Sequence, residues 1–123
     1  MYQNEYEVVF ITSAELGEDQ YNAVLGKVTD TIAKYEGAVL VQESWGRRKF
    51  AYPIRKQNYG MYTLVDFVGP AELPKELTRL SRLDDKFMRL VTVKVEDRVD
   101  AAVAKEAAEK RSTQRLERLN SNS

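Results

Sequence analysis

The run from Val39 to Val68, VLVQESWGRRKFAYPIRKQNYGMYTLVDFV, decides the fold. From Val39 to about Ile54 its pattern is extended, with an interruption at Trp45-Gly46, where a glycine inside a strand marks a bulge or bend. Residues Arg55 to Tyr59 are polar, and a second β-rich run, Gly60 to Val68, follows before Gly69-Pro70 ends it. The pair predicts an antiparallel hairpin whose first strand is long and kinked and whose loop holds several residues.

Working outward, Tyr21, Val24, Leu25, Val28, Ile32 and Tyr35 keep the spacing of an amphipathic helix, with Lys27, Asp30 and Lys34 on its polar side. Gly37 stands where a left-handed C-terminal cap is expected. Ahead of that helix, Tyr6 to Ile11 (YEVVFI) is short, apolar and β-branched, as a central strand covered on both faces would be. After the hairpin, Leu73, Leu77 and Leu80 form one stripe of a second helix, with Pro70 or Pro74 in its first turn and its end near Asp84. Met88 to Val95 then alternates Val91, Val93 and Val95 against Leu90, Thr92 and Lys94, the period of a strand with one more exposed face.

The element order is therefore β-α-β-β-α-β. Because crossovers between parallel strands are right-handed, that order interlocks into a four-stranded antiparallel sheet with both helices on one face and the other face open. From Arg98 the composition turns to Ala, Glu, Lys, Arg, Ser and Asn. This divides the chain into a domain over residues 1–97 and a charged, flexible tail over 98–123, in which Ala101 to Lys110 has helix propensity but is short enough to be marginal alone.

Composition narrows the chemistry. The 123 residues hold 19 basic and 19 acidic side chains, so a polyanionic partner would have to meet a local patch. There is no cysteine and no histidine, which removes thiolate metal sites, thiol nucleophiles and the usual acid–base group near neutral pH. No glycine-rich phosphate loop, nucleophile elbow or metal-ligand spacing occurs, and Asp84-Asp85 reads as a turn. No enzymatic activity, cofactor, metal or small-molecule substrate is expected. The start, MYQNEYE, is acidic where a signal peptide is basic, and no stretch approaches the length of a membrane span, so the expectation is a cytoplasmic protein with no membrane partner.

The local patch is Trp45 to Lys56, WGRRKFAYPIRK, with Arg47, Arg48, Lys49, Arg55 and Lys56 around aromatic Phe50 and Tyr52. No acidic residue lies between Glu43 and Asp66. Guanidinium groups fork onto phosphate and stack on bases, so cations interleaved with aromatics suit RNA. The same residues also suit a hairpin that merely keeps its edge soluble. Alternation puts Arg47 and Lys49 on one face with Ala51, and Arg48 on the other with Phe50, Tyr52 and Ile54. Tyr59 and Tyr62 have opposite parity, which argues against a shared base-stacking surface. Arg89 sits at the parity of Phe87 and Val91, either as a phosphate contact or as a partner of an acid such as Glu7; Trp45 packs more readily than it stacks on a base.

WGRRKFAYPIRK followed by Tyr59-Gly60-Met61-Tyr62 resembles the signature segment of the S-six family of bacterial small-subunit ribosomal proteins. Tyr6-Glu7, Tyr35-Glu36-Gly37-Ala38 and Met88-Arg89-Leu90 also stand where that family has similar residues, so the resemblance spans about Tyr6 to Glu96. Phe50 departs from the leucine more usual before Ala-Tyr-Pro-Ile. The resemblance implies a ferredoxin-like α+β fold and a structural role on the ribosome, binding 16S ribosomal RNA beside ribosomal protein S-eighteen. Arg47, Arg48, Tyr52, Lys56 and Arg89 fall on the family's motif positions, and with Lys49 and Arg55 they form the expected RNA- or partner-binding set. The competing expectation is a ferredoxin-like protein-interaction or ligand-sensing module that binds no RNA.

Overall fold

A computed structural model describes residues 3–121, so the first two residues of the acidic start and of the 1–97 span, and the last two of the 98–123 span, lie outside the described residues. The elements are β1 (Gln3–Ser13), α1 (Glu18–Lys34), β2 (Ala38–Ile54), β3 (Gln57–Gly69), α2 (Leu73–Leu83), β4 (Phe87–Val99) and α3 (Ala101–Ser121). The strands form one sheet in the order β2-β3-β1-β4, every neighbouring pair antiparallel. This is the ferredoxin-like arrangement expected from the element order.

Strand alternation builds the core. Tyr6, Val8 and Phe10 of β1 point to one face, opposite Phe67, Val65 and Thr63 of β3, and meet Val24, Val28 and Ile32 of α1 and Leu73 and Leu77 of α2. All these apolar side chains are buried, each worth about 1.5–3 kcal/mol relative to exposure.

Helix α1 ends in a Schellman turn: the Gly37 N–H donates to the Ile32 carbonyl at 2.8 Å and the Glu36 N–H to the Ala33 carbonyl at 3.0 Å. The left-handed residue is Glu36, with φ 61°, not Gly37 as the sequence suggested. Glycine is needed at 37 for closeness instead, because a Cβ there would lie 2.5 Å from the Val68 carbonyl oxygen.

The hairpin also differs from its expected form. Ile54 pairs with Gln57, so the loop is only Arg55-Lys56, both left-handed at φ 50° and 63°, as a two-residue type I′ turn demands. The expected loop was too long because Gln57 and Asn58, though polar, continue the strand; Gln57 accepts a hydrogen bond from the Ser13 hydroxyl at 2.8 Å. The bulge at Trp45-Gly46 is present, with a register shift and Gly46 at φ 76°. A second irregularity lies nearer the tip: Phe50 to Pro53 stand against Asn58 alone, so Phe50 is buried while Tyr52 is 75% exposed. The alternation that joined them on one face stops there.

In β4 the register shifts between the pairs Ile11↔Arg89 and Thr12↔Phe87. Phe87 therefore enters the core and Arg89 faces the other way, which corrects their expected shared parity.

The segment expected to be a tail is helical and packed over 101–121. Asp100 caps it, its Oδ1 accepting from the N–H groups of Ala102 (3.0 Å) and Val103 (3.2 Å). Ala104, Ala108 and Ser112, one turn apart, are buried, the two alanines beside Leu40 and Val68 on the sheet face opposite α1 and α2. Small side chains at that spacing let the helix lie close to the strands. The face expected to be open is thus partly covered.

Candidate nucleic-acid interface

The β2–β3 hairpin carries five of the expected site residues as cations: Arg47, Arg48, Lys49, Arg55 and Lys56. Pairing of Arg47 with Met61 and of Lys49 with Tyr59 puts these two on the helix side of the sheet, and Arg48, opposite Gly60, on the reverse. The opposite parity expected for the adjacent arginines holds. Two of the five are steadied by backbone oxygens: Arg48 Nε donates to the Trp45 carbonyl at 3.1 Å, and an Arg55 terminal nitrogen to the Asp85 carbonyl at 2.7 Å. The Arg47 guanidinium carbon sits 3.8 Å from the centroid of the Tyr59 ring, a cation–π stack. Among the described residues none of the five, nor Arg89, forms an ion pair.

The arginines of α3 are placed in the opposite way. Arg111 bridges Glu5 at 2.6 Å and Asp66 at 3.1 Å; Arg115 bridges Glu7 at 3.0 Å and also Glu43. Glu5, Glu43 and Asp66 are buried. Four carboxylates thus share two guanidiniums, and among them Asp66 has its pKa raised. Burial, a hydrogen bond to Glu5 and the charge of Glu5 push its carboxyl up to about 8, against the pull of Arg111.

Sequence reasoning missed this cluster, although signals for it exist. Glu5 and Glu7 alternate on the face of β1 away from the core, and Ala104, Ala108 and Ser112 lead at helical spacing toward Arg111 and Arg115. Glu7 is consequently the partner of Arg115, not of Arg89.

Trp45, Phe50 and Tyr62 pack on one another, while Tyr52 is exposed. Trp45 stacks on Tyr62 with centroids 6.3 Å apart and donates to Glu43 at 2.9 Å, and Phe50 lies 6.2 Å from Tyr62. Asp84 does turn work: it accepts the Lys86 N–H at 3.0 Å and pairs with Lys27, whose ammonium is the main cause holding its carboxyl below the usual range. No group of three potential metal-ligating side chains and no helix long and apolar enough to cross a membrane occurs among the described residues.

A four-stranded antiparallel sheet in the order β2-β3-β1-β4, built from a βαββαβ run, defines a class: a small ferredoxin-like protein, here with a cluster of cations on its β2–β3 hairpin. Comparison with known proteins makes the assignment specific. The family model for ribosomal protein S6 matches residues 5–94. The small ribosomal subunit protein bS6 of Geobacter sulfurreducens is 43% identical over 102 residues, covering 83% of this chain and 87% of that one. The Clostridium novyi protein of the same name is 44% identical over 91 residues, covering 74% and 96%. The crystal structure of 30S ribosomal protein S6 from Thermotoga maritima superposes with a TM-score of 0.72 at 26% identity, over 90% of this chain and 98% of the other. The chain belongs to the ribosomal protein S6 family. It is a structural protein of the small ribosomal subunit, located on the bacterial ribosome in the cytoplasm, and not an enzyme.

Proposed function

We propose that the chain binds 16S ribosomal RNA together with ribosomal protein S-eighteen, and that the hairpin is its RNA-facing surface. The observation that carries this reading is the division of the cations: Arg111 and Arg115 are spent on carboxylates, whereas the five hairpin cations form no ion pair among the described residues. Cations on a hairpin without an acidic partner suit phosphate, where they release condensed counterions on binding. Arg47, Arg48, Lys49, Arg55 and Lys56 make the phosphate contacts in this reading, with Tyr52 exposed at the tip for stacking. Arg89 lies on β4 at the opposite edge of the sheet from β2, beside exposed Val91 and Val93, 53% and 58% accessible, and in this reading belongs with the protein partner.

The test is competition between wild type and the Arg47→Ala, Lys49→Ala, Lys56→Ala variant for incorporation into small subunits reconstituted from 16S ribosomal RNA and small-subunit proteins lacking this chain. Each lost phosphate contact should lower the salt slope of binding by about one. Incorporation equal to wild type at every salt concentration would reject the hairpin as the RNA surface.

A further inference from the structure

Beside the turn end of the hairpin lies a cleft of about 250 Å³ with Glu15, Arg47, Lys56 and Tyr59 in its lining. We propose that Tyr59 is a positioning residue for RNA binding, its ring holding the Arg47 guanidinium at this cleft in the orientation that takes a phosphate. The inference rests on the RNA-binding role of the hairpin and adds to it a residue outside the cationic strip.

The ring is itself well placed to act as a support. Tyr59 pairs with Lys49 across the hairpin and sits diagonally from Arg47, which pairs with Met61, so both side chains leave the same face within reach of each other. The Arg47 guanidinium carbon lies over the ring, 3.8 Å from its centroid, and its N–H edge enters no ion pair among the described residues. A planar fork needs that edge for a bidentate phosphate contact. An unsupported exposed arginine would have to give up more of its rotamer freedom on binding. Glu15 shares the cleft but ion-pairs with neither Arg47 nor Lys56 among the described residues. The fork is therefore held by an aromatic ring and not neutralised by an acid.

The same reconstitution competition, run at several salt concentrations, separates this role from others. Tyr59→Leu should compete about threefold less well, the scale of an exposed cation–π contact, with its salt slope unchanged because the charge remains. Tyr59→Phe keeps the ring and should match wild type. Arg47→Lys keeps the charge without the planar fork and should show a loss like that of Tyr59→Leu, which guards against a Leu variant that merely folds poorly. In an Arg47→Ala background, Tyr59→Leu should add nothing. A Tyr59→Leu defect that persists undiminished in that background would overturn the proposal, since the ring would then touch RNA itself or serve only the hairpin. So would wild-type competition by Tyr59→Leu when Arg47→Ala is impaired. Wild-type competition by Arg47→Ala would instead reject the RNA-binding role of Arg47, and this inference with it.

Discussion

Asp66 shows how one residue's surroundings set its chemistry. It is buried opposite Glu7 in the β1–β3 register, beside Glu5, with Arg111 as its cation. Because its folded pKa is raised to about 8, from an ordinary value near that of a free aspartate, the folded state holds a proton that the unfolded chain releases. Its stabilising contribution is complete below the unfolded pKa and is lost as pH rises through about 8. Asp84 has the opposite sign, since pairing with Lys27 lowers its pKa and its contribution is lost as pH falls into the acidic range. Denaturant titrations from pH 5 to 9 should therefore show stability declining toward alkaline pH, and Asp66→Asn should flatten that decline. An unchanged slope in the variant would mean that another group holds the proton. None of this was legible from Asp66 itself, which reads as one polar residue within an apolar strand; its burial comes from a helix far along the chain.

Helix α3 is the element that propensity alone undervalued. Its alanines and mixed charges suggested a segment marginal in water, and the docking that stabilises it comes from long-range partners on β1, β2 and β3. Arg115 is the more buried of the two arginine anchors, set against Glu43, whose side chain is 1% exposed. Removing one member of a buried pair leaves the other charge uncompensated, so Arg115→Ala should cost about 3 kcal/mol in chemical denaturation. Adding Glu43→Gln should restore part of that loss; a further loss of similar size would show that the pair contributes no coupling. By contrast, α1, α2 and the four strands were readable because their apolar periodicity matches the faces they bury. The misjudged details were irregularities that alternation does not encode: the tight Arg55-Lys56 turn, the four-residue bulge before it, and the shift that separates Phe87 from Arg89.

At the scale of the molecule, a chain with formal net charge +0 keeps two kinds of cationic surface apart. On one sheet face the arginines of α3 answer buried carboxylates; at the hairpin the cations form no ion pair among the described residues. The WGRRKFAYPIRK segment made the second surface visible in the sequence, because its charge run is uninterrupted by acids and matches the motif of the family to which the chain belongs. Which cations were already neutralised could not be read there, since the answer depends on the packing of residues more than 70 positions apart, as with Glu43 and Arg115. The absence of cysteine allows a direct test, because a single Ala51→Cys substitution on the exposed part of the hairpin gives one attachment point for a tethered iron chelate. In reconstituted small subunits, hydroxyl radicals generated there should cut 16S ribosomal RNA at a compact set of positions. Particles that contain the protein yet show no cutting above the untethered background would contradict the claim that the hairpin faces RNA.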